Sequence, residues 1–180
     1  MIDDKRTLYL YEALELRSEY DARIKTLKDC LPEHKQNRDR FSFSRGDDGI
    51  RKASPDFDGA SAREELRTLE FKRRKLNSAI QRTNFNHSIA FNEETLNLSE
   101  ALDIRKTLNE QIGELHSQVV ASSSLKVIYK EGRDIVEEPE ITYPNAVRNL
   151  EEARLAFREL NRKIRAASFE TSVDYRDEEE

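Results

Sequence analysis

Apolar residues recur along the chain at alternating steps of three and four. The first run is Leu10, Ala13, Arg17, Tyr20, Ile24, Leu27 and Leu31, apolar at every position but Arg17. That spacing is a helical stripe at the heptad period. It predicts a helix over about 8–31, with Thr7 as its cap and Pro32 as its stop, because proline pushes the preceding residue out of the helical region. A second stripe holds Ala62, Leu66, Leu69, Arg73, Leu76, Ile80 and Thr83, opened by Ser61-x-x-Glu64 and fading at Asn84–Asn86. Ser followed by Glu three residues on is the capping-box pattern. The third stripe is Leu98, Ala101, Arg105, Leu108, Ile112, Leu115 and Val119. The fourth, after Pro144 and Asn145, is Ala146, Leu150, Ala153, Phe157, Leu160, Ile164 and Ala167.

Between the last two stripes the period changes. Leu125–Lys130 is rich in β-branched and aromatic residues, Glu131-Gly132-Arg133-Asp134 reads as a turn, and Ile135, Val136 and then Ile141–Tyr143 can return antiparallel. A two-stranded ribbon is expected there, and such a ribbon is not stable by itself. Residues 33–60 form a long connection with a short alternating stretch, Phe41-Ser42-Phe43-Ser44, and turns at Arg45–Gly49 and Ser54–Asp56. So long a loop in a small domain points to a functional or mobile segment.

The chain repeats itself. Thr7–Arg17 returns as Thr95–Arg105, with seven of eleven positions identical at an offset of 88. The second and fourth stripes align at an offset of 84, where Ala62/Ala146, Leu66/Leu150, Leu76/Leu160, Asn77/Asn161 and Ile80/Ile164 are among the identities. The expected fold class is therefore mainly α: two repeated helical hairpins forming an elongated antiparallel four-helix bundle, with short β-ribbons in the long loops. Residues 1–90 are read as the first copy, 91–171 as the second, and 172–180 as an acidic disordered tail.

Composition agrees with lean amphipathic helices. Charged residues are 37% and hydrophobic residues 36% of 180, with five Gly, four Pro and no Trp. Helices this lean bury little each, so oligomerisation is the expected route to further burial. Net charge is −5, and Asp174–Glu180 carries −4 of it, five acids against one Arg. Nucleic acid is not an expected partner, because no excess of Lys and Arg is available to displace counter-ions. No apolar run approaches the roughly 20 residues of a membrane span, and the first residues lack the apolar core of a signal peptide. Cys30 is the only cysteine, which excludes an intrachain disulfide and suits a reducing, cytoplasmic setting.

Few residues carry chemistry. His34, His87 and His116 lie apart without metal-ligand spacing, and no phosphate-binding or nucleophile motif occurs. The arginines at stripe positions, Arg17, Arg73 and Arg105, stand where leucine would pack better. Either their stems pack while their heads reach water or a carboxylate, or they set register and partner choice. Glu12 and Glu100, which recur with them, are the expected partners. Arg82-Thr83-Asn84 ends the second helix where the halves join.

The openings Glu12-Ala13-Leu14-x-x-Arg17 and Leu98-x-Glu100-Ala101-Leu102-x-x-Arg105, with Ile80-x-Arg82-Thr83-Asn84 and Glu159–Ile164, resemble the septicolysin-like family of small bacterial helical proteins, most of them uncharacterised. Where that family tends to have Asn-Trp near the end of its last helix, this chain has Ser168-Phe169. The resemblance implies an α-helical, oligomeric protein and carries no activity. The expected function is a non-enzymatic, homo-oligomeric scaffold or partner-binding protein without cofactor or metal. The alternative is a protein binding a small polar or anionic, nucleotide-like ligand at the repeat joint or subunit interface through Arg17, Arg105, Arg82 and Asn84.

Overall fold

The computed structural model describes residues 8–31, 54–130 and 132–176. Its elements run β1 (Leu8–Tyr9), α1 (Leu10–Cys30), α2 (Gly59–Asn86), β2 (Ser88–Phe91), β3 (Glu94–Asn97), α3 (Leu98–Ser122), β4 (Lys126–Lys130), β5 (Arg133–Glu137), α4 (Tyr143–Glu170) and β6 (Ser172–Val173). The protein is mainly helical, with short antiparallel strand pairs β1–β6, β2–β3 and β4–β5. It divides into two compact units, Met1–Thr83 with Thr171–Glu180, and Asn84–Glu170.

The four stripes become the four helices, with different caps from those the sequence suggests. α1 begins at Leu10 behind Tyr9 rather than Thr7, which lies outside the described residues. The Tyr9 N–H donates to Glu12 Oε2 at 2.8 Å, satisfying a donor beside the helix start. α2 begins at Gly59, where Asp58 Oδ1 accepts from the Ala60 and Ser61 amides at 2.9 and 3.2 Å. Ser61 is thus inside the helix, and Asp58 takes the cap because its carboxylate suits exposed amides at the positive end of the helix dipole. α3 carries a full capping box: Glu100 N–H to Asn97 Oδ1 at 2.9 Å, and Asn97 N–H to Glu100 Oε2 at 2.8 Å.

Within the first unit, α1 and α2 run antiparallel and are tied by polar contacts. Arg17 meets Asn77, and Asp21 meets Arg73, so partners descend along α2 as α1 ascends. Arg23–Glu65 at 3.1 Å and Lys28–Glu70 at 2.6 Å continue the seam. These side chains are half-exposed, so each pair contributes between nothing and about 1 kcal/mol. The stronger term is burial of Ala13, Tyr20, Ile24, Leu66, Leu69, Leu76 and Ile80.

The start of the region expected to be a tail is ordered into this unit. Ser172 and Val173 pair with Tyr9 and Leu8, Val173 is fully buried, and the Leu10 N–H donates to the Thr171 carbonyl at 2.8 Å. Tyr175 and Tyr20 hydroxyls lie 3.4 Å apart. Residues 177–180, like the Phe41–Ser44 strand expected in the first loop, lie outside the described residues.

In the second unit, the chain that follows α2 is a β-hairpin. Ser88, Ile89, Ala90 and Phe91 pair with Asn97, Leu96, Thr95 and Glu94. The turn residues Asn92 and Glu93 have φ of 48° and 66°, the left-handed pair that a two-residue hairpin requires. Phe91 and Leu96 turn inward onto Ala101 of α3 and Leu160 of α4, with Ile89, Ile104, Leu108, Ala156 and Ile164 packed around them. Lys163 reaches back from α4, donating to the Ala90 carbonyl at 2.7 Å while its ammonium stands 5.7 Å from the Phe91 ring.

The β1–β6 and β2–β3 pairs share one local pattern. Leu8↔Val173 and Ile89↔Leu96 are matching rungs under the offsets of 88 and 84. Leu10 N–H to Thr171 O likewise matches Leu98 N–H to His87 O, at 2.8 and 2.9 Å.

Candidate functional site: an exposed ribbon and its cleft

The four residues proposed from sequence for ligand binding do not converge within either unit. Arg17 and Arg82 belong to one unit, Asn84 and Arg105 to the other. Arg17 is half-buried and its Nη1 donates to Asn77 Oδ1 at 3.3 Å. Arg73 is held through Nε by Asp21 at 2.9 Å, with both side chains about half exposed. Glu12 and Glu100, expected to pair with the stripe arginines, instead accept backbone amides at the helix starts. A carboxylate at the third helical position lies within reach of its own cap amide. Arg82 is exposed, and Asn84 and Arg105 are half-buried.

A concavity lies in the second unit, at the base of the β4–β5 ribbon. It encloses about 590 Å³ between the end of α3, the start of β4 and the segment leading to α4. Among the described residues, Glu137, Glu138 and Glu140 line it with Lys126, Ala121 and Ser122. Lys126 Nζ is 3.0 Å from Glu137 Oε2 across the two strands. The remaining acidic excess opposes an anionic ligand. No group of three or more metal-ligating side chains occurs among the described residues.

The ribbon itself is the more unusual feature. Lys126 pairs with Glu137, Val127 with Val136, Ile128 with Ile135, Tyr129 with Asp134 and Lys130 with Arg133. Gly132 supplies the positive φ of 76° that the tight connection needs. Side chains alternate across a strand, so Val127, Tyr129 and Val136 share one face. That face is open: Tyr129 is 82%, Val136 50% and Val127 43% exposed, with Leu125 exposed at its base. The strands pair with each other and make no extensive contact with the helices.

The chain matches no family model, no curated protein and no solved structure. The septicolysin-like resemblance rests on its short helical motifs alone. No described helix is long and apolar enough to cross a membrane.

Among the described residues, Tyr11 is displaced from its ordinary range. Burial, then the neighbouring Glu12 carboxylate, raises the Tyr11 phenol above 10.0. Its hydroxyl donates to Glu12 Oε1 at 3.2 Å. This is a consequence of the helix start.

Proposed function

We propose that the protein is a non-enzymatic helical scaffold that assembles with itself, built from two copies of one helix–loop–helix design. The observation that carries this reading is the ribbon. Two strands with three exposed apolar residues, Val127, Tyr129 and Val136, beside the register position of Asp134 on one face, standing largely clear of their own helices, lack the third strand or packed face such a ribbon needs for stability. Single exposed apolar residues are ordinary on protein surfaces, whereas contiguous ones mark interaction sites. Val127, Tyr129 and Val136 are contiguous by register.

The two-copy design draws support from the shared rungs and the matching helix-start hydrogen bonds of β1–β6 and β2–β3. The four-helix bundle expected from the stripes belongs to this proposal, and small-angle scattering of the particle tests it. A nucleotide-like ligand at the repeat joint gains no support from any geometry within either unit. The test of assembly is light scattering coupled to size exclusion. A mass that is a multiple of 21.0 kDa supports the reading, and a strictly monomeric mass at micromolar concentration refutes it.

A further inference from the structure

An antiparallel ribbon has two edges, and each edge strand is a template for pairing with another chain unless something blocks it. The two edges here differ in charge pattern. β4 reads Lys-Val-Ile-Tyr-Lys, basic at both ends; β5 reads Arg-Asp-Ile-Val-Glu, basic at its first position and acidic at its last. When a strand pairs antiparallel with its own copy about a two-fold axis, its first position faces the copy's last. For β4 this sets Lys126 opposite Lys130, a like-charge pairing that destabilises. For β5 it sets Arg133 opposite Glu137 twice, once on each side of the axis, and each such opposite-charge pair is favourable. Lysine on an edge strand is also a common guard against pairing, and β4 carries it at both ends while β5 carries none.

We infer that β5 is the assembly edge, and that it pairs antiparallel with β5 of a second copy about Ile135 to give a four-stranded sheet ordered β4-β5-β5-β4. This rests on the self-association proposed above and names the surface that makes it. The partner is a second copy because the charge pattern of β5 is complementary to itself. Four strands meet the requirement that the lone ribbon fails. The central row of the sheet holds the register positions of Ile128 and Ile135 from both copies, flanked by the charged rows. Val127, Tyr129 and Val136 of both copies fall on the opposite face. The interface is isologous and closes on itself, so it produces dimers rather than filaments.

The test is a charge exchange. Glu137→Arg makes both ends of β5 basic, and Arg133→Glu makes both ends acidic. Each variant alone turns the two attractive pairs across the axis into repulsive ones and is expected to weaken the dimer about tenfold or more. Glu137→Arg also sets a cation opposite Lys126 within its own ribbon, so Arg133→Glu is the decisive single variant. An equimolar mixture of the two restores the opposite-charge pairing and is expected to recover the dimer mass. Unchanged ellipticity at 222 nm shows that the helices are intact. In a Cys30→Ser background, Ile135→Cys gives an independent readout, because the two-fold register brings the two positions together and predicts a disulfide-linked dimer under mild oxidation. A wild-type dimer whose mass is unaffected by either charge variant, or that forms no 135–135 cross-link, overturns the β5 edge and leaves self-association standing. A wild-type monomer overturns both.

Discussion

Leu160 is the residue whose removal tests the packing of the second unit most sharply. It is fully buried against Phe91, Leu96 and Ala101, so Leu160→Ala withdraws three carbons from the place where the β2–β3 hairpin meets α3 and α4. At about 0.8 kcal/mol per buried methylene, the transfer loss is roughly 2.4 kcal/mol. A residual cavity adds to that, and measured Leu→Ala changes in cores span about 2.7–5.0 kcal/mol. The half-buried neighbours Ile89 and Ile104 at the rim allow partial collapse, which places the expected loss at the low end, about 3 kcal/mol. Urea unfolding followed at 222 nm measures it, and with a slope of about 1.5 kcal/mol/M the midpoint falls by about 2 M. Leu155→Ala on the same helix is the control, since Leu155 is 56% exposed, and it is expected to change stability by no more than about 0.5 kcal/mol. A loss below about 1 kcal/mol for Leu160→Ala, or equal losses for the two variants, refutes the packing described.

Three further outcomes follow from the local geometry. Glu100→Ala removes the carboxylate that accepts the Asn97 amide and should cost about 1 kcal/mol, and Glu12→Ala a similar amount at α1; equilibrium unfolding of each variant checks this. Lys163→Met keeps the aliphatic stem but loses the bond to the Ala90 carbonyl, so amides of the β2–β3 hairpin should exchange hydrogen about fivefold faster while those in the middle of α3 do not change. In alkaline titration by ultraviolet absorbance, Tyr11 should ionise above 10.0, and the component should disappear in Tyr11→Phe. Because the folded value is raised, the associated stability is fully present below pH 10 and is lost as pH rises through the folded value; a phenol ionising at or below 10.0 contradicts the Glu12 contact.

The helices were legible because alternating steps of three and four leave few other solutions. Leu76, Leu98, Ala101, Ala146 and Leu160 are buried at stripe positions, whereas Leu108, Ile112, Leu115 and Val119, on the same stripe as Leu98 and Ala101, are only half-buried. The β4–β5 ribbon was legible for a different reason, the β-branched run on either side of a glycine turn. Its second strand ends at Glu137, and Ile141–Tyr143, expected to continue the pairing, instead lead into α4. The β2–β3 hairpin was hidden because Thr95-Leu96-Asn97 sits inside the repeated motif and reads as the beginning of a helix. The Asn97–Glu100 capping box delays that helix to Leu98 and frees the three preceding residues to extend. Strand β6 was hidden by the acidic composition that follows it. Two residues carry little periodicity, and the pairing of Val173 with Leu8 spans nearly the whole chain.

The arginine stripe shows where sequence reasoning stops. Position and recurrence marked Arg17, Arg73 and Arg105, but the partners depend on which residues the neighbouring helix presents. Asn77 and Asp21 fill that role, while the glutamates nearest in sequence are taken by backbone amides. The arginine contacts in the first unit are therefore half-exposed seam contacts, with no buried ion pair among them. The exposed face of the ribbon depends in the same way on what the helices leave uncovered, which no local pattern encodes.

Sedimentation equilibrium of the wild-type chain, run across a series of micromolar loading concentrations, measures self-association through β5. A reversible approach to twice the 21.0 kDa chain mass is expected, weakened by Arg133→Glu. A single species at 21.0 kDa across the whole series contradicts it.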